Sequence, residues 1–245
     1  MTQPAACVLI IGNEILSGKT QDANLQYLAT ELAKLGIRLE EARVVRDDPA
    51  AIVRHLNACR ESFTYVFTTG GIGPTHDDIT AECVARALGV PVIREPRLVQ
   101  VLEGYFKGRL NEARLKMAKV PRGAELVDNP VSNAPGFKIG NVFVLAGIPS
   151  IARAMFTSAV PLLTKGAPIQ SSSVDVFLRE GDFAAVLEKI QNDHPQVEIG
   201  SYPFNRDGRL GATLVVRGTD RSLIASVVTE IDAAMVALGG ETKVN

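Results

Sequence analysis

The sequence predicts an α/β protein: a three-layer α/β/α domain on a mostly parallel sheet over residues 1–168, then a small α+β domain over residues 169–245. Three observations carry this. Short apolar runs rich in branched residues stop at glycine, amphipathic helical patterns follow them, and the composition changes near residue 166. Strands alternating with helices imply a parallel sheet covered by helices, because a parallel pair needs a crossover connection.

Cys7 to Ile11 is short, apolar and broken by Gly12, which marks a buried strand. From Asp22 to Leu35 the set Leu25, Leu28, Leu32 and Leu35 steps by 3, 4 and 3 residues, with Asp22 placed to cap the helix and Gly36 to end it. Ile37 to Val45 reads as a strand, and Asp48-Pro49 as the cap and first residue of a helix through Cys59. Tyr65 to Thr69 is a buried strand running into Gly70-Gly71, and a helical pattern with Val84 and Leu88 lasts until Gly89. Leu98 to Phe106 and Glu112 to Ala118 read as helices, Val142 to Leu145 as a strand, and Pro149 to Leu163 as a helix with Pro161 near its end.

Gly166-Ala167-Pro168 and Ser171 to Ser173 mark a linker. Beyond it come a strand (Val174 to Leu178), a helix (Phe183 to Gln191), two strands (Val197 to Tyr202 and Ala212 to Val216) and a helix (Ser222 to Leu238). A domain of about 70 residues buries little surface alone, so it is expected to pack on the first domain or on another subunit.

Composition excludes several classes. At 46% hydrophobic and 22% charged, the 245-residue chain is neither disordered nor collagen-like. With 26 basic against 27 acidic residues, net −1, there is no general field for nucleic acid, so an anion must be held locally. The lack of Trp and an aromatic share of 5% leave few stacking platforms for single strands, and no nucleic-acid partner is expected. No apolar stretch reaches the roughly 18 residues of a membrane span, and Met1 to Ala6 carries no basic secretory segment, so a cytoplasmic protein without a membrane partner is expected. Cys7, Cys59 and Cys83 are odd in number and widely spaced, which suits reduced packing residues. His55, His76 and His194 lack zinc-type spacing.

The richest segment is Thr68-Thr69-Gly70-Gly71-Ile72-Gly73-Pro74-Thr75-His76-Asp77-Asp78-Ile79-Thr80. It sets three glycines after a buried strand and before a helix, where open α/β sheets bind ligands and free N–H groups hold phosphate. The same residues also suit a tight turn followed by Asp77 or Asp78 as an N-cap. One cap is enough for a helix, however, and two acids beside a phosphate repel it unless a divalent cation such as Mg²⁺ lies between them.

Gly12 to Thr20 imitates a P-loop but has five residues, not four, before Gly18-Lys19-Thr20, which excludes an NTPase of that type. Glu14, Asp22 and Asn24 nevertheless follow strand one on the same sheet edge as the glycine loop, and Asp47 follows strand two. Asp48 is explained by capping and Asp47 is not. Asn129 to Phe137 and Ala146 to Ser150 are small, polar and glycine-containing, and each also suits an ordinary turn.

Together these segments resemble the MoaB/Mog molybdopterin-binding domain family, in the version at the front of the CinA (competence/damage-inducible) proteins. Gly12-Asn13-Glu14-Ile15-Leu16 with Gly18, Asp22 and Asn24, then Thr69 to Thr80, Asn129 to Phe137, and Leu145 to Ala152 match its motifs in order and spacing over residues 7 to about 165. Four sites depart from the family pattern: Asn13 stands for Asp, Ser132-Asn133 for Gly-Thr, Ala146 for Pro, and Ile151-Ala152 for Glu-Met. Ile199 to Pro203 and Gly218 to Asp220 resemble the family's small middle domain. The family's C-terminal amidase domain does not follow, so nicotinamide mononucleotide deamidation is not expected.

The resemblance implies a divalent-metal-dependent nucleotide pyrophosphatase of the ADP-ribose class. Asp78 and Asp77 are the catalytic candidates, and Asp47 and Asp78 the ligands for Mg, Mn or Co. Thr69, Gly70, Gly71, Gly73, Pro74, Glu14, Asn24, Ser132, Asn133, Gly136 and Gly147 would bind a nucleotide or pterin phosphate. The alternatives are molybdopterin binding or adenylyl transfer in molybdenum cofactor biosynthesis, or a non-catalytic ligand sensor. A homo-oligomer is expected by family analogy.

Overall fold

The structure, a computed structural model, describes residues 3–206 and 208–245. The chain divides into two compact units, one ending in sequence at Gly166 and the other made of Ala167–Asn245 together with Lys34–Gly36. The first unit runs β1 (Ala5–Ile11), α1 (Asn13–Leu16), α2 (Asn24–Lys34), β2 (Arg38–Val45), α3 (Pro49–Ser62), β3 (Tyr65–Thr69) and α4 (Thr80–Leu88). It continues with β4 (Val92–Arg94), α5 (Pro96–Phe106), α6 (Glu112–Leu115), β5 (Lys119–Pro121), β6 (Glu125–Val127), β7 (Gly136–Ile139), β8 (Val142–Leu145) and α7 (Pro149–Ala159).

Six strands form one sheet in the order β2-β1-β3-β8-β7-β6. β2, β1, β3 and β8 are parallel neighbours, while β7 and β6 add an antiparallel edge. From β1 the chain passes first to β2 on one side and then to β3 on the other, so the connections leaving β1 and β3 diverge and open a crevice at their carboxyl ends. Alternation along the strands supplies both faces of the core. Cys7, Leu9, Ile11, Val66, Val142 and Val144 pack with Ile52, Leu56 and Cys59 of α3 and Val84 of α4. On the opposite face the Phe67 and Phe143 rings stack with centroids 5.2 Å apart, and Phe156 of α7 meets Phe67 edge-on at 5.5 Å. Helices cover both faces, as a parallel sheet requires.

The local signals behave as their chemistry dictates. The Asp22 carboxylate accepts the Leu25 N–H at 2.8 Å, and Asp48 accepts the Ala51 N–H at 2.8 Å ahead of Pro49. Gly89 ends α4 in the left-handed conformation that glycine adopts without penalty.

Three expectations change. The helix expected through Leu163 ends at Ala159 and tightens into a 3₁₀ turn over Val160–Leu162, because Pro161 has no N–H and its ring blocks an α-turn. The strands β4 to β7, three or four residues each, have no periodicity long enough to read. Ser171 to Ser173, expected in a linker, lie inside a strand, since backbone pairing with the strand Arg209–Gly218 outweighs their weak strand preference.

The second unit runs β9 (Gln170–Val176), α8 (Glu180–Asp193), β10 (Glu198–Arg206), β11 (Arg209–Gly218), α9 (Arg221–Ala237) and β12 (Thr242–Val244). Its sheet has the order β10-β11-β9-β12, antiparallel throughout. One sheet face, with Val174, Val176, Leu214 and Val216, packs against Phe183, Ile190, Ile224, Val227 and Ile231 from the two helices. Among the described residues no helix is long and apolar enough to cross a membrane.

Candidate functional site

The glycine loop begins where β3 ends. Gly70 and Gly71 have φ of +101° and +69°, a region L-residues with a side chain rarely adopt. A side-chain carbon on Gly70 would collide with the Ile11 carbonyl oxygen, and one on Gly71 with the Thr80 hydroxyl. The loop is tied at both ends: the Gly70 N–H donates to the Leu145 carbonyl at 3.2 Å, and Thr80 donates its N–H to the Gly71 carbonyl at 3.0 Å and its hydroxyl to the Gly70 carbonyl at 2.9 Å. Glycine therefore brings the ends of β1, β3 and β8 and the start of α4 within backbone contact of one another.

The paired acids take an unexpected position. Neither Asp77 nor Asp78 caps α4, whose N-cap residue is Ile79 with no side-chain cap bond. Asp78 instead accepts the Thr75 N–H at 2.8 Å, and its Oδ2 faces Gly73, where an added side-chain carbon would lie 2.7 Å away. The Thr75 hydroxyl lies 2.5 Å from both Asp77 Oδ1 and Asp78 Oδ2, and its single hydrogen serves one of them at a time. The Lys116 ammonium donates to the Thr75 carbonyl at 2.5 Å. Hydrogen bonds from Thr75 and from its own backbone N–H, with the nearby His76 and Lys116, hold the Asp77 carboxyl below the usual range.

A cavity of about 520 Å³ opens above this loop. Of the sequence-predicted residues it is lined by Glu14, Gly70, Gly71, Gly73, Pro74, Asp78, Ser132 and Gly147. Thr69 is buried beneath the loop. Asn24 lies behind the wall and donates its amide Nδ2 to the Gly147 carbonyl at 2.8 Å. Asn133, left-handed at φ +56°, and Asp77 are outside this lining. Gly136 is buried in β7, where a side chain would collide with the Val144 carbonyl oxygen, so it serves sheet packing. Asp47 accepts the Asn13 N–H at 2.8 Å and steadies the turn that presents Glu14.

Asn129, which the sequence places only in a small polar turn, is central to the loop 129–135. Its Nδ2 donates to Ser132 Oγ at 2.6 Å and to the Ala134 carbonyl at 2.9 Å, while its Oδ1 accepts the Val131 and Ser132 N–H groups. Ile72, Met117, Ile148, Ile151 and Met155 add an apolar wall. These residues come from three separate stretches, 72, 117 and 148–155, and are ordinary in type, so no local pattern in the chain announces the wall.

Glu14 and Asp78 are the two carboxylates on the cavity wall. Among the described residues no three His, Cys, Asp or Glu side chains are placed to hold a metal ion. Two carboxylates on one wall are fewer donors than an all-protein cage for a divalent ion uses.

A glycine turn and the Asp78 carboxylate at the switch point of a mostly parallel sheet define an α/β protein with a cavity at the carboxyl edge of its strands. Residues 7–165 match the model of the probable molybdopterin-binding domain, and residues 168–238 match the middle domain of FAD synthase. The chain belongs to that molybdopterin-binding domain family, within its CinA-like members. A CinA-like protein of Gloeobacter violaceus is 32% identical over 97% of this chain, which spans 58% of that relative's length. A protein of Archaeoglobus fulgidus is 34% identical over 80% of this chain and 84% of its own. The solved structure of CinA from Thermoplasma acidophilum, titled as of unknown function, superposes with a TM-score of 0.62 at 30% identity, covering 65% of this chain and 97% of that one.

Proposed function

We propose that the cavity binds a phosphate-bearing nucleotide and hydrolyses the P–O–P bond of an ADP-ribose-type dinucleotide in the presence of a divalent ion. The observation that carries this reading is the seating of Gly70, Gly71 and Gly73 at the sheet's switch point with the Asp78 carboxylate in the same cavity. With the Gly70 N–H already given to the Leu145 carbonyl, it is the later N–H groups of the turn that suit the diphosphate, and the apolar wall of Ile72, Ile148, Ile151 and Met155 suits the flat face of a base. A divalent ion, when bound with the ligand, offsets phosphate charge and lowers the pKa of water. Asp78 and Glu14 would hold such an ion and orient the attacking water, and the loop 129–135 with Pro74 lines one side of the crevice. Attack of water on one phosphorus breaks the bridging P–O bond and leaves AMP and a sugar phosphate.

The test is AMP release from ADP-ribose, and separately from FAD and NAD, with Mg²⁺, Mn²⁺ or Co²⁺ and with chelator. Metal-dependent turnover that disappears in Asp78→Ala supports the reading, and wild-type turnover in that variant overturns it. A second reading, binding of a pterin phosphate without hydrolysis, is favoured by the match to the molybdopterin-binding model over residues 7–165. Pterin or nucleotide affinity without turnover on any of the three substrates would support that second reading.

A further inference from the structure

Cys7 lies on β1 and Cys59 on α3, 52 residues apart in sequence, and both are wholly buried. Their Sγ atoms are 3.1 Å apart, and an approach of roughly 1 Å more reaches bonding distance. The third cysteine has no such neighbour among the described contacts: Cys83 is buried on α4, and burial pushes its thiol up to about 11.

We propose that Cys7 and Cys59 form an oxidisable dithiol, a disulfide-forming site separate from the ligand cavity. The Sγ–Sγ contact is a hydrogen bond that either thiol can donate; with Cys7 as donor and the Arg43 guanidinium nearby, the thiolate is favoured on Cys59, while the same bond and burial hold the Cys7 proton. The fringe of the pair is polar. On β2, at the edge of the sheet, Glu41 stands opposite Cys7 in register and bonds Arg43 at 2.5 Å, and Arg43 Nη1 lies 3.2 Å from His55 Nδ1 on α3. The dithiol is thus one strand in from the sheet edge, in the core layer between β1 and α3 and next to charged, half-exposed side chains.

With a peroxide as oxidant the chemistry closes. The Cys59 thiolate attacks one peroxide oxygen, the O–O bond breaks, and hydroxide leaves a sulfenic acid on Cys59. Cys7 sulfur then attacks the Cys59 sulfur, the S–O bond breaks, and the departing oxygen leaves as water with the Cys7 proton. Two thiols are oxidised to one disulfide, and one peroxide is reduced to two waters.

The experiment exposes the purified full chain to hydrogen peroxide, quenches, denatures in iodoacetamide and maps the peptides by mass spectrometry, with and without prior reduction. The expected result is a reducible peptide joining Cys7 to Cys59, with Cys83 recovered alkylated. Cys59→Ala removes the crosslink, whereas Cys83→Ala leaves its yield unchanged and, because it leaves the pair intact, keeps the test valid if Cys59→Ala fails to fold. Recovery of all three cysteines alkylated in the wild-type protein, or crosslinks that include Cys83 in comparable yield, would overturn the assignment.

Discussion

Asp78 accepts the N–H of Thr75, three residues earlier, at 2.8 Å, so its carboxylate turns back over the glycine loop instead of capping the helix that starts at Thr80. A carboxylate that bonds its own loop at one oxygen keeps its remaining acceptor capacity for the cavity. Asp78→Ala is expected to lower metal-dependent AMP release by about 10²-fold or more, the scale of a lost catalytic group. Stability should change by less than about 1 kcal/mol, since the side chain is only partly buried. Steady-state assays beside urea titrations check both, and a large loss of stability would show that Asp78 is chiefly structural.

Gly70 tests the backbone of the site. With φ at +101° and the Ile11 carbonyl where a side chain would stand, Gly70→Ala combines strain with a collision against backbone. The expected cost is about 1–3 kcal/mol from conformation alone, and more from the displaced β1 end. Gly18, left-handed with open space around it, is the control. Gly18→Ala should show the conformational part only, and equal urea midpoints for the two variants would contradict this account.

Asn24 acts from behind the cavity. Its Nδ2 donates to the Gly147 carbonyl, and a side-chain carbon on Gly147 would meet the Gly70 Cα at 3.3 Å, so the amide braces the two loops against each other. Asn24→Ala should cost about 1–3 kcal/mol by leaving that carbonyl unpaired, and Asn24→Asp should cost more, because a carboxylate would face the carbonyl oxygen. Thermal melts order the three proteins, and Asp ranking above Ala would refute the bracing role.

Acid stability should depend on the second unit. Hydrogen bonding from Arg206, and then from Thr213 and Asn245, holds the buried Asp175 carboxyl below the usual carboxylate range. A depressed folded-state pKa adds stability that is fully present above the unfolded value of about 3.9 and is lost as pH falls through the folded value. Asp175→Asn should therefore weaken the unit near neutral pH and flatten its loss of stability below about pH 4. Urea midpoints across that range, followed by circular dichroism, measure the slope. A wild-type slope in the variant would place the acid sensitivity elsewhere.

Much of this was legible in the chain. Apolar runs cut by glycine mark β1, β3 and β8, leucine spacing marks α2, and Asp48-Pro49 marks α3, because each signal arises from residues adjacent in sequence. The glycine loop was legible for the same reason: three glycines after a buried strand are a local statement about backbone. The antiparallel edge β6–β7 was not, since three- and four-residue strands are stabilised by their partners and have no period of their own.

The alternation of elements, the caps, and the place where backbone must run without side chains are written in the chain. Which residues meet is settled by the fold. It turned Asp78 onto the loop, set Asp47 on the Asn13 N–H, moved Gly136 into sheet packing and made Asn129 the organiser of the loop 129–135. It also brought Cys7 to Cys59. The physical reason is range. Turns, caps and periodicity act over a few residues, whereas a cavity wall, a cross-loop hydrogen bond and a sulfur pair exist only after the parallel sheet has brought distant segments to one edge or one face.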